Sequence, residues 1–348
     1  MKVCHYFEWE EFITGGQAQS VRNQRKMLDS HGVAYTTEPT LDADLLHLNN
    51  MGPRSVYLAK RASRKGIPVV AHTHQTAEDF RESFALSNLL ARPMKPYLSY
   101  AYSLADHLVC PSEHTAEVLD DYCETPRTVI SNGFDPEKLA GHEALRDEYL
   151  DRYDLDPPVV FIVGHVIERK GLSAFVETAR RLPDLDFAWF GYLNPGGGTV
   201  DRLLRSRETT RHVRRAPDNC TFTGYVEDVR GAFAAGDVFF FPTKNENEGM
   251  ALLEAMACGK PPVVRDIPTF EWLDHRGNCL KAGADFVEPL QQVTSDAGFR
   301  DELGRAAEAA SAEYTLAAVS DDLVGLYRSL TGETDTQAIP ADPTEQGP

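Results

Sequence analysis

The chain has 348 residues, of which 42% are hydrophobic and 25% are charged, as in ordinary globular proteins. This length exceeds one ordinary hydrophobic core and suits two α/β domains of about 150 residues each. Acidic residues number 53 against 35 basic ones, and the formal charge of −18 argues against a general nucleic-acid-binding protein.

The apolar segments and the cysteines indicate the cellular compartment in which the protein works. Residues 1–7 are typical of a strand rather than of a signal peptide, and no apolar run approaches the ~18 residues of a membrane span. We therefore expect a cytoplasmic protein, soluble or peripheral on the inner face of the membrane. The six cysteines contain no C-x-x-C pair, which favours buried free thiols over a metal site or disulfides. The acid excess suggests a halophilic protein, because salt screens self-repulsion.

Short apolar and β-branched runs alternate with longer helical patterns, which predicts βαβ units and parallel sheets. The predicted fold class is α/β, with two doubly wound, Rossmann-like domains that face each other across a cleft. Ligands of such open sheets bind beyond the carboxyl ends of the strands. The predicted strands are residues 2–7, 33–37, 45–49, 68–72, 107–110 and 128–130, then 159–163, 187–190, 220–223, 238–241, 262–265 and 279–281.

Two features of the first half follow predicted strand ends. Gly15 and Gly16 stand between the first strand and an amphipathic helix, where they permit a tight turn that brings backbone amides to a phosphate. Gly-Gly loops are also frequent where no ligand binds. His74 stands just past the fourth strand on the cleft side, and we predict it at the site although a lone histidine is more often structural.

Two basic islands interrupt the acidic first half. Residues 54–65 and 89–102 combine Arg and Lys with aliphatic side chains and Tyr. This composition fits interfacial helices on anionic lipid, and it fits solvated helix faces equally well. A third basic cluster, to which we assign no function, consists of Arg202, Arg205, Arg207, Arg211, Arg214 and Arg215.

Residues 151–158 (DRYDLDPP) mark the predicted join between the halves, because paired prolines interrupt a charged helix just before a buried strand. We predict an N-terminal domain over residues 1–150 and a C-terminal domain over residues 151–312, which close about this join. A C-terminal helix over residues 313–330 is expected to pack back on the N-terminal domain. Residues 331–348 are rich in Thr, Pro, Asp, Glu and Gly, which predicts a disordered tail.

A basic pair follows the first strand of the second half. Arg169 and Lys170, beside Gly171, lie at the mouth of the predicted second sheet. There they can neutralise the β-phosphate of a departing nucleoside diphosphate, a charge that grows in the transition state. The alternative is a solvated basic pair at a helix start, where the helix dipole slightly disfavours a cation.

The most specific segment is residues 239–268, in which a buried strand and a polar loop precede an apolar helix. Glu246 and Glu254 are separated by seven residues (247–253), which places the first on the loop and the second in the second turn of the helix. Glu246 can accept hydrogen bonds from hydroxyls of a donor sugar, and Glu254 from those of a ribose. Acidic residues are also ordinary in the first turn of a helix, so this alternative remains open.

The start of the same helix predicts an anion site. The backbone N–H groups of Glu248, Gly249 and Met250 point out of the helix start, where a negative charge is favoured. Gly249 lets a phosphate or a sugar approach this backbone closely.

Together these segments resemble family 4 of the retaining glycosyltransferases, which has the GT-B fold. The resemblance runs from residue 2 to about residue 330, with the motifs in the family's order. The matching residues are Gly15-Gly16 for the glycine loop, His74 for the histidine after the fourth strand, Arg169-Lys170-Gly171 for the basic pair, and Glu246 with Glu254 for the E-x7-E motif.

A narrower resemblance is to the glucosyltransferases that make glycosyl-diacylglycerols. It rests on the segments HTHQTAEDFRESF, GHVIERKGLSAFVETARRLPDLDFAWFGY, GYVEDVRGAFAAGDVFFFPTKNENEG and VRDIPTFEWL. It implies a UDP-sugar donor, first of all UDP-glucose, whose uracil is read by the backbone near Gly224, Tyr225 and Val226. No essential cofactor or metal is implied. His165 departs from the arginine of many relatives, so Arg169 and Lys170 would supply most of the phosphate-binding charge.

The resemblance implies an enzyme that moves a hexose, with retention, from a UDP-sugar to a lipid acceptor at the cytoplasmic membrane face. Its implied catalytic residues are Glu246, Lys170, Arg169 and His74, the last of which orients the sugar. The expected partners are the nucleotide-sugar donor, a lipid or saccharide acceptor and an anionic membrane surface, without nucleic acid. One alternative is the same chemistry on a saccharide or protein-linked acceptor. Another is a non-catalytic GT-B scaffold protein.

Overall fold

The structure, a computed structural model, describes residues 1–80, 87–193 and 207–333. Each half forms a parallel sheet of six strands, and all twelve strands lie within one residue of the bounds predicted from the sequence. The strands are β1 (Lys2–Tyr6), β2 (Ala34–Thr36), β3 (Leu45–Leu48), β4 (Val69–His72), β5 (His107–Cys110), β6 (Arg127–Val129), β7 (Val159–Val163), β8 (Asp186–Phe190), β9 (Cys220–Gly224), β10 (Val238–Phe241), β11 (Pro262–Arg265) and β12 (Leu280–Ala282).

The order of the strands locates the ligand-binding edges. The first sheet runs β2-β1-β3-β4-β5-β6, and the second runs β12-β11-β10-β7-β8-β9. The central strands read as unbroken apolar runs, such as VFFF in β10, because both faces of a parallel sheet are covered. The strand order reverses between β1 and β3 and again between β7 and β10. Open α/β sheets bind ligands beyond the carboxyl ends of such switch points.

Helices connect these strands in the expected α/β alternation. In the described residues they are α1 (Gly16–Ser30), α2 (Pro53–Ser63), α3 (Ala77–Phe80), α4 (Ser87–Tyr102), α5 (Glu113–Val118), α6 (Arg146–Tyr153), α7 (Leu172–Arg181), α8 (Arg207–Arg214), α9 (Val229–Ala235), α10 (Met250–Ala257), α11 (Val287–Ser295), α12 (Ala297–Ser311) and α13 (Leu316–Thr331). None of the helices in this part of the chain is long and apolar enough to cross a membrane.

Helix α13 packs on the first sheet although it follows the second in the chain. Leu323 and Tyr327 are buried in one cluster with Val3 of β1 and Leu45 of β3. The helix continues through Thr331, one residue beyond its predicted end. From residue 334 onward, the predicted disordered tail lies outside the described residues.

Helix α6 packs with the second sheet, which differs from the predicted domain boundary at residue 150. Tyr149 is buried in the hydrophobic cluster of the second half, and its hydroxyl donates to the carbonyl oxygen of Asp228 at 2.9 Å. Arg146 Nη2 pairs with Asp237 Oδ1 at 2.8 Å. Residues on both sides of the paired prolines, Tyr149 and Val159 among them, are buried in this same cluster.

The chain crosses between the halves at two adjacent segments. Phe134 and Thr315 form a parallel β-bridge. The Phe134 N–H donates to the carbonyl oxygen of Tyr314 at 3.0 Å, and the Leu316 N–H donates to that of Phe134 at 2.9 Å. We propose that the N-terminal domain ends near Phe134 and that α13, which follows the second sheet in the chain, also belongs to this domain. Closure would then turn about this bridge instead of residues 151–158.

Two further predictions concern side chains across the fold. All six cysteines are free and four of them are buried, which confirms the prediction of free thiols.

In the third basic cluster, Arg202 and Arg205 lie outside the described residues, whereas Arg211 and Arg214 lie on α8.

Candidate active site at the interdomain cleft

The turn after β7 meets the loop after β10 at the switch point of the second sheet. The 3-10 turn Glu168–Lys170 ends at Gly171, whose φ is +83°. A Cβ at Gly171 would lie 2.2 Å from the carbonyl oxygen of Pro242, so only glycine allows this turn to pack on the end of β10. This close packing brings Arg169 and Lys170 to Glu246.

Glu246 holds its charge although it is buried. Its Oε1 accepts hydrogen bonds from Lys170 Nζ and, at 3.0 Å, from Thr243 Oγ1. Arg169 Nη1 lies 3.5 Å from the same oxygen and donates to the carbonyl oxygen of Asn245 at 2.9 Å. Burial raises the pKa of Glu246, but the charges of Lys170 and Arg169 outweigh it, and the pKa is lowered overall. The ionised carboxylate is therefore ready to accept hydrogen bonds from hydroxyls.

Glu254 lies in the second turn of α10, as the spacing predicts, beside Lys138, whose Nζ also donates to Gln19 Oε1 of α1 at 3.1 Å. It is buried, and its Oε1 lies 3.9 Å from Lys138 Nζ. Burial raises the pKa of Glu254, and the charge of Lys138 offsets part of the effect. Gly249, with a left-handed backbone, directly precedes Met250, the first residue of α10. Glu254 and the start of α10 thus face the cleft together.

The glycine loop lies against the second half. Gly15 directly precedes α1, and Gly16 is the first residue of that helix. A Cβ at Gly15 would lie 3.1 Å from Cε1 of His165, so the absent side chain makes room for the imidazole that follows β7. Burial, with the charges of Lys170 and Arg169, lowers the pKa of His165 to about 4. His165 is therefore a neutral imidazole beside the glycine loop.

His74 lies across the cleft from the Glu246 loop. Its Nε2 is 3.0 Å from Asn49 Oδ1, and its ring stacks on that of His72 at 4.2 Å between centroids. Its carbonyl oxygen accepts a hydrogen bond from Asn247 Nδ2 at 2.9 Å. Burial, and then the neighbouring His72, lower the pKa of His74 well below its ordinary value. His74 is thus a neutral imidazole held beside the predicted donor loop.

The side chain of Glu248 points into the first half, a contact that sequence reasoning missed. Its carboxylate accepts hydrogen bonds from Ser131 Oγ, from the Asn132 backbone N–H at 3.2 Å and from Asn132 Nδ2 at 2.6 Å. Burial raises the pKa of Glu248 to about 7 against the lowering effect of these hydrogen bonds. The signal available in the sequence was the polar run Ser131-Asn132-Gly133 directly after a strand.

An aromatic pair lies at the carboxyl ends of β8 and β9. Tyr225 follows Gly224, the last residue of β9, and stacks on Tyr192 at 4.6 Å between ring centroids. Tyr225 is 59% exposed, whereas Val226 is partly buried against the core of the second half. The sequence interpretation included Gly224, Tyr225 and Val226 but missed Tyr192, which lies just before the undescribed residues 194–206.

A cavity of about 270 Å³ lies between the halves beside Glu246. Across the described ranges, no group of three or more His, Cys, Asp or Glu side chains is arranged to hold a metal ion. The lining of the cavity includes Thr76, His114, Thr115, Asn245, Glu246 and Asn247.

Family models match both halves of the chain. Residues 18–138 match the model described as Glycosyltransferase Family 4, and residues 157–296 match the one described as Glycosyl transferases group 1. The processive diacylglycerol alpha-glucosyltransferase of Acholeplasma laidlawii is 32% identical over 82% of this chain and 85% of its own length. The alpha-galactosylglucosyldiacylglycerol synthase of Streptococcus pneumoniae is 26% identical over 87% of this chain and 82% of its own length.

Solved structures share the fold at low sequence identity. The Anabaena protein HepE, in complex with UDP and glucose, aligns with a TM-score of 0.74 at 15% identity, over 94% of this chain and 99% of its own. Sucrose-phosphate synthase from Thermosynechococcus elongatus aligns with a TM-score of 0.77 at 16% identity, over 96% of this chain and 100% of its own. These likenesses and the two parallel sheets confirm the predicted GT-B fold. The chain belongs to glycosyltransferase family 4, and it is an enzyme of the glycosyltransferase class.

Proposed function

We propose that the enzyme transfers glucose from UDP-glucose to a lipid acceptor at the cytoplasmic face of the membrane, with retention of the anomeric configuration. The observation that carries this proposal is the meeting of Lys170 and Glu246 at the switch point of the second sheet, opposite His74. The donor is supported by the relative from Acholeplasma laidlawii, which is named a glucosyltransferase. It is also supported by the Anabaena structure, which holds UDP and glucose.

In the proposed complex the diphosphate lies between the glycine loop and the basic pair. Lys170 and Arg169 neutralise the charge that grows on the β-phosphate as the bond to the anomeric carbon breaks. The amides of Glu248, Gly249 and Met250, at the start of α10, add partial positive charge. His165 supplies a neutral imidazole beside Gly15, so the fixed positive charge comes from Lys170 and Arg169.

The sugar and the nucleoside occupy opposite sides of that diphosphate. Glu246 accepts hydrogen bonds from sugar hydroxyls, and His74 orients the sugar from the first half. Glu254 accepts hydrogen bonds from the ribose, and the backbone at Gly224, Tyr225 and Val226 reads the uracil. The acceptor hydroxyl attacks the anomeric carbon as UDP leaves, and closure of the halves excludes water. No step in this scheme requires a metal or a further cofactor.

A lipid acceptor is supported by the outer surface of α2 and α4, which we call the aromatic-basic face. Lys60 Nζ lies 5.1 Å from the ring centroid of Tyr100, and Arg61 Nη1 donates to Tyr57 Oη at 2.9 Å. Tyrosines beside cations suit the headgroup region of an anionic bilayer. The face consists of Tyr57, Lys60 and Arg61 on α2 with Tyr97 and Tyr100 on α4, and all three tyrosines are exposed.

The apolar rim beside the glycine loop also supports a lipid acceptor. Trp9 and Phe12, in the segment between β1 and α1, are 52% and 81% exposed. Large apolar side chains in such positions mark contact surfaces for partners or lipids. The aromatic-basic face includes residues of both basic islands. Tyr57, Lys60 and Arg61 come from residues 54–65, and Tyr97 and Tyr100 come from residues 89–102.

A saccharide acceptor is the second candidate. The lining of the cavity beside Glu246 includes Asn245, Asn247 and Thr115, whose amide and hydroxyl groups can hydrogen-bond to a sugar ring. The scaffold alternative finds no support, because the two relatives described above are named as enzymes, a glucosyltransferase and a synthase.

A donor-by-acceptor screen tests the proposal. Purified enzyme is incubated in dilute buffer and in molar salt with UDP- and GDP-sugars and with membrane lipid extract, and products are read by mass spectrometry. A hexosyl lipid formed from UDP-glucose is the expected result, and NMR of its anomeric proton reports retention. Donor hydrolysis without a lipid product would refute the lipid acceptor and direct the search to saccharides. Because the net charge is −18, we also propose higher activity in molar salt.

A further inference from the structure

Asn132 connects the donor loop of the second half with the histidines of the first half. It follows β6, and only 6% of its surface is exposed. Its backbone N–H and its Nδ2 donate to the Glu248 carboxylate, the latter at 2.6 Å. Its Oδ1 lies 3.1 Å from Nε2 of His72 and accepts a hydrogen bond from Ser20 Oγ on α1. One amide therefore contacts three separate elements.

The orientation of this amide follows from chemistry. An ionised carboxylate accepts hydrogen bonds and does not donate them, so the Asn132 group that faces the ionised Glu248 is the NH₂ group. On the other side of the amide, Ser20 Oγ accepts a hydrogen bond from Gln24 Nε2 and donates to Asn132 Oδ1, which gives the same orientation. The oxygen of the amide then faces His72 and requires a proton on its Nε2 atom. Nδ1 of the same ring is buried without a hydrogen-bond partner among the described residues, as expected for the unprotonated nitrogen of a neutral imidazole. Glu248 thereby fixes the tautomer of His72 through Asn132.

The hydrogen-bonded connection from Glu248 through Asn132 to His72 extends to His74, the proposed sugar-binding histidine. The rings of His72 and His74 are nearly parallel, at 13° and 4.2 Å between centroids, so a turn of the first ring displaces the second. His74 is also joined to the donor loop directly, since its carbonyl oxygen accepts a hydrogen bond from Asn247. Loop docking and the orientation of both imidazoles therefore depend on each other.

We propose that Asn132 is a positioning residue that couples the docking of the Glu248 loop to the tautomer of His72 and, through it, to the placement of His74. Only one part of this inference, the role of His74 in binding the sugar, rests on the proposed function. It assigns to Asn132 no contact with the substrates. Its consequence is that the donor loop and the imidazole pair reach their working positions in one event.

The coupling is tested by exchanging the hydrogen-bond donor and acceptor groups between positions 132 and 248. Asn132→Asp places two carboxylates against each other, and we expect kcat to fall by about tenfold or more with a smaller change in the KM for the donor. Adding Glu248→Gln restores an amide facing a carboxylate, with the direction of the hydrogen bond reversed and the oxygen toward His72 retained. We expect the double variant to recover most of the lost kcat. Independent, additive losses in the two single variants and the double variant would overturn the proposal.

A spectroscopic measurement needs no substrate. In ¹⁵N-histidine-labelled wild type, His72, assigned from a His72→Gln variant, should give the signals of an imidazole protonated at Nε2. These signals should change in Asn132→Leu, which removes the amide oxygen, and should stay in Asn132→Asp, which keeps an oxygen toward His72. The matched control, Ser131→Ala, removes another donor to the same carboxylate, so the His72 signals should stay and kcat should change by about threefold or less. Unchanged His72 signals in Asn132→Leu would overturn the proposal.

The two measurements separate this inference from the proposed function. A wild type that is inactive with UDP-glucose but active with another donor refutes that donor alone, and kcat is then measured with the active donor. If no donor is turned over, the proposed function fails, and the His72 signals still decide whether Asn132 sets the tautomer. A kcat that stays at the wild-type value while those signals change would refute the positioning role.

Discussion

Lys170 and Glu246 form a buried ion pair that joins the ends of β7 and β10, with 15% and 9% of their side-chain surfaces exposed. Removing one partner of such a pair leaves an uncompensated charge in the protein interior. In the absence of a donor, the pair also keeps the lysine in place and the carboxylate ionised. Both groups are thus preset for a ligand that has a phosphate on one side and hydroxyls on the other.

We expect Lys170→Ala to lower the rate of sugar transfer by about a hundredfold, because the charge that stabilises the leaving diphosphate is lost. The same change should lower the free energy of unfolding by about 3 kcal/mol, because Glu246 is left buried with less compensation. Transfer kinetics and thermal unfolding measure the two effects. An unchanged rate in a folded variant would remove Lys170 from the site.

Arg181→Ala is the control for this prediction. Arg181 pairs with Asp285 on the surface of the same domain, where both side chains are about half exposed. An exposed pair contributes about 1 kcal/mol or less, so neither the rate nor the stability should change appreciably.

The second prediction concerns pH and Glu248. Burial raises the pKa of this carboxyl from 4.5 to about 7 in the folded protein. A raised carboxyl pKa means that the folded state holds the proton more tightly than the unfolded state does. The associated stability is therefore present below pH 4.5 and is lost as the pH rises through 7, by about 3 kcal/mol in total.

Glu248→Gln isolates this effect, because the amide does not titrate. Other groups titrate in both proteins, so the informative quantity is the difference in unfolding free energy between wild type and variant at each pH. We expect the wild type to lose stability relative to Glu248→Gln as the pH rises from 4.5 through about 7, as measured by denaturant unfolding. A difference that is independent of pH would show that the carboxyl is solvated.

The strands were predictable because each is a short, continuous apolar run, and burial on both faces of a parallel sheet requires such runs. The same logic predicted that Lys170 and Glu246 lie on the loops after two of these strands, which are β7 and β10 in the structure. The contacts of Glu248 could not be predicted in this way. Ser131 and Asn132 lie more than one hundred residues away in the chain, and their short polar turn has no periodicity that would indicate a partner.

The packing of α6 could not be predicted for a related reason. Paired prolines indicate that a helix stops, but they carry no information about which sheet the helix packs on. Tyr149 places α6 in the packing unit of the second sheet through its contact with α9, about eighty residues further along the chain. Likewise, the Phe134–Thr315 bridge joins segments whose proximity depends on α13 returning to the first half.

The third prediction concerns the aromatic-basic face. Lys60→Glu combined with Arg61→Glu should reduce binding to vesicles of anionic lipid by about thirtyfold or more, because each lost cation costs about 1 kcal/mol near such a surface. Vesicle sedimentation at low and at high salt measures this, and the wild type should bind less at high salt. Turnover of the donor with a detergent-solubilised acceptor should remain, since neither side chain faces the cleft. Equal binding of wild type and variant to anionic vesicles would refute the lipid-facing role.

The fourth prediction tests the attachment of α13 to the first sheet. Tyr327 Oη hydrogen bonds to His47 Nδ1, and both side chains are fully buried. Burial lowers the pKa of His47 well below its ordinary value, so the imidazole is neutral and needs a partner for Nδ1. Tyr327→Phe leaves that nitrogen unpaired while preserving the ring, and we expect a loss of about 1–3 kcal/mol in unfolding free energy.

Thermal unfolding measures this loss. In chains of 150–250 residues, each kcal/mol of lost stability lowers Tm by about 2–4 °C, and in longer chains by less. We therefore expect Tm to decrease by several degrees at most. Tyr35→Phe is the matched control. The Tyr35 hydroxyl makes only a 3.5 Å contact with Asp29 near the surface, so its removal should leave Tm unchanged. If Tyr327→Phe were as stable as Tyr35→Phe, the hydrogen bond to His47 would contribute nothing, and apolar packing alone would hold α13 on the first sheet.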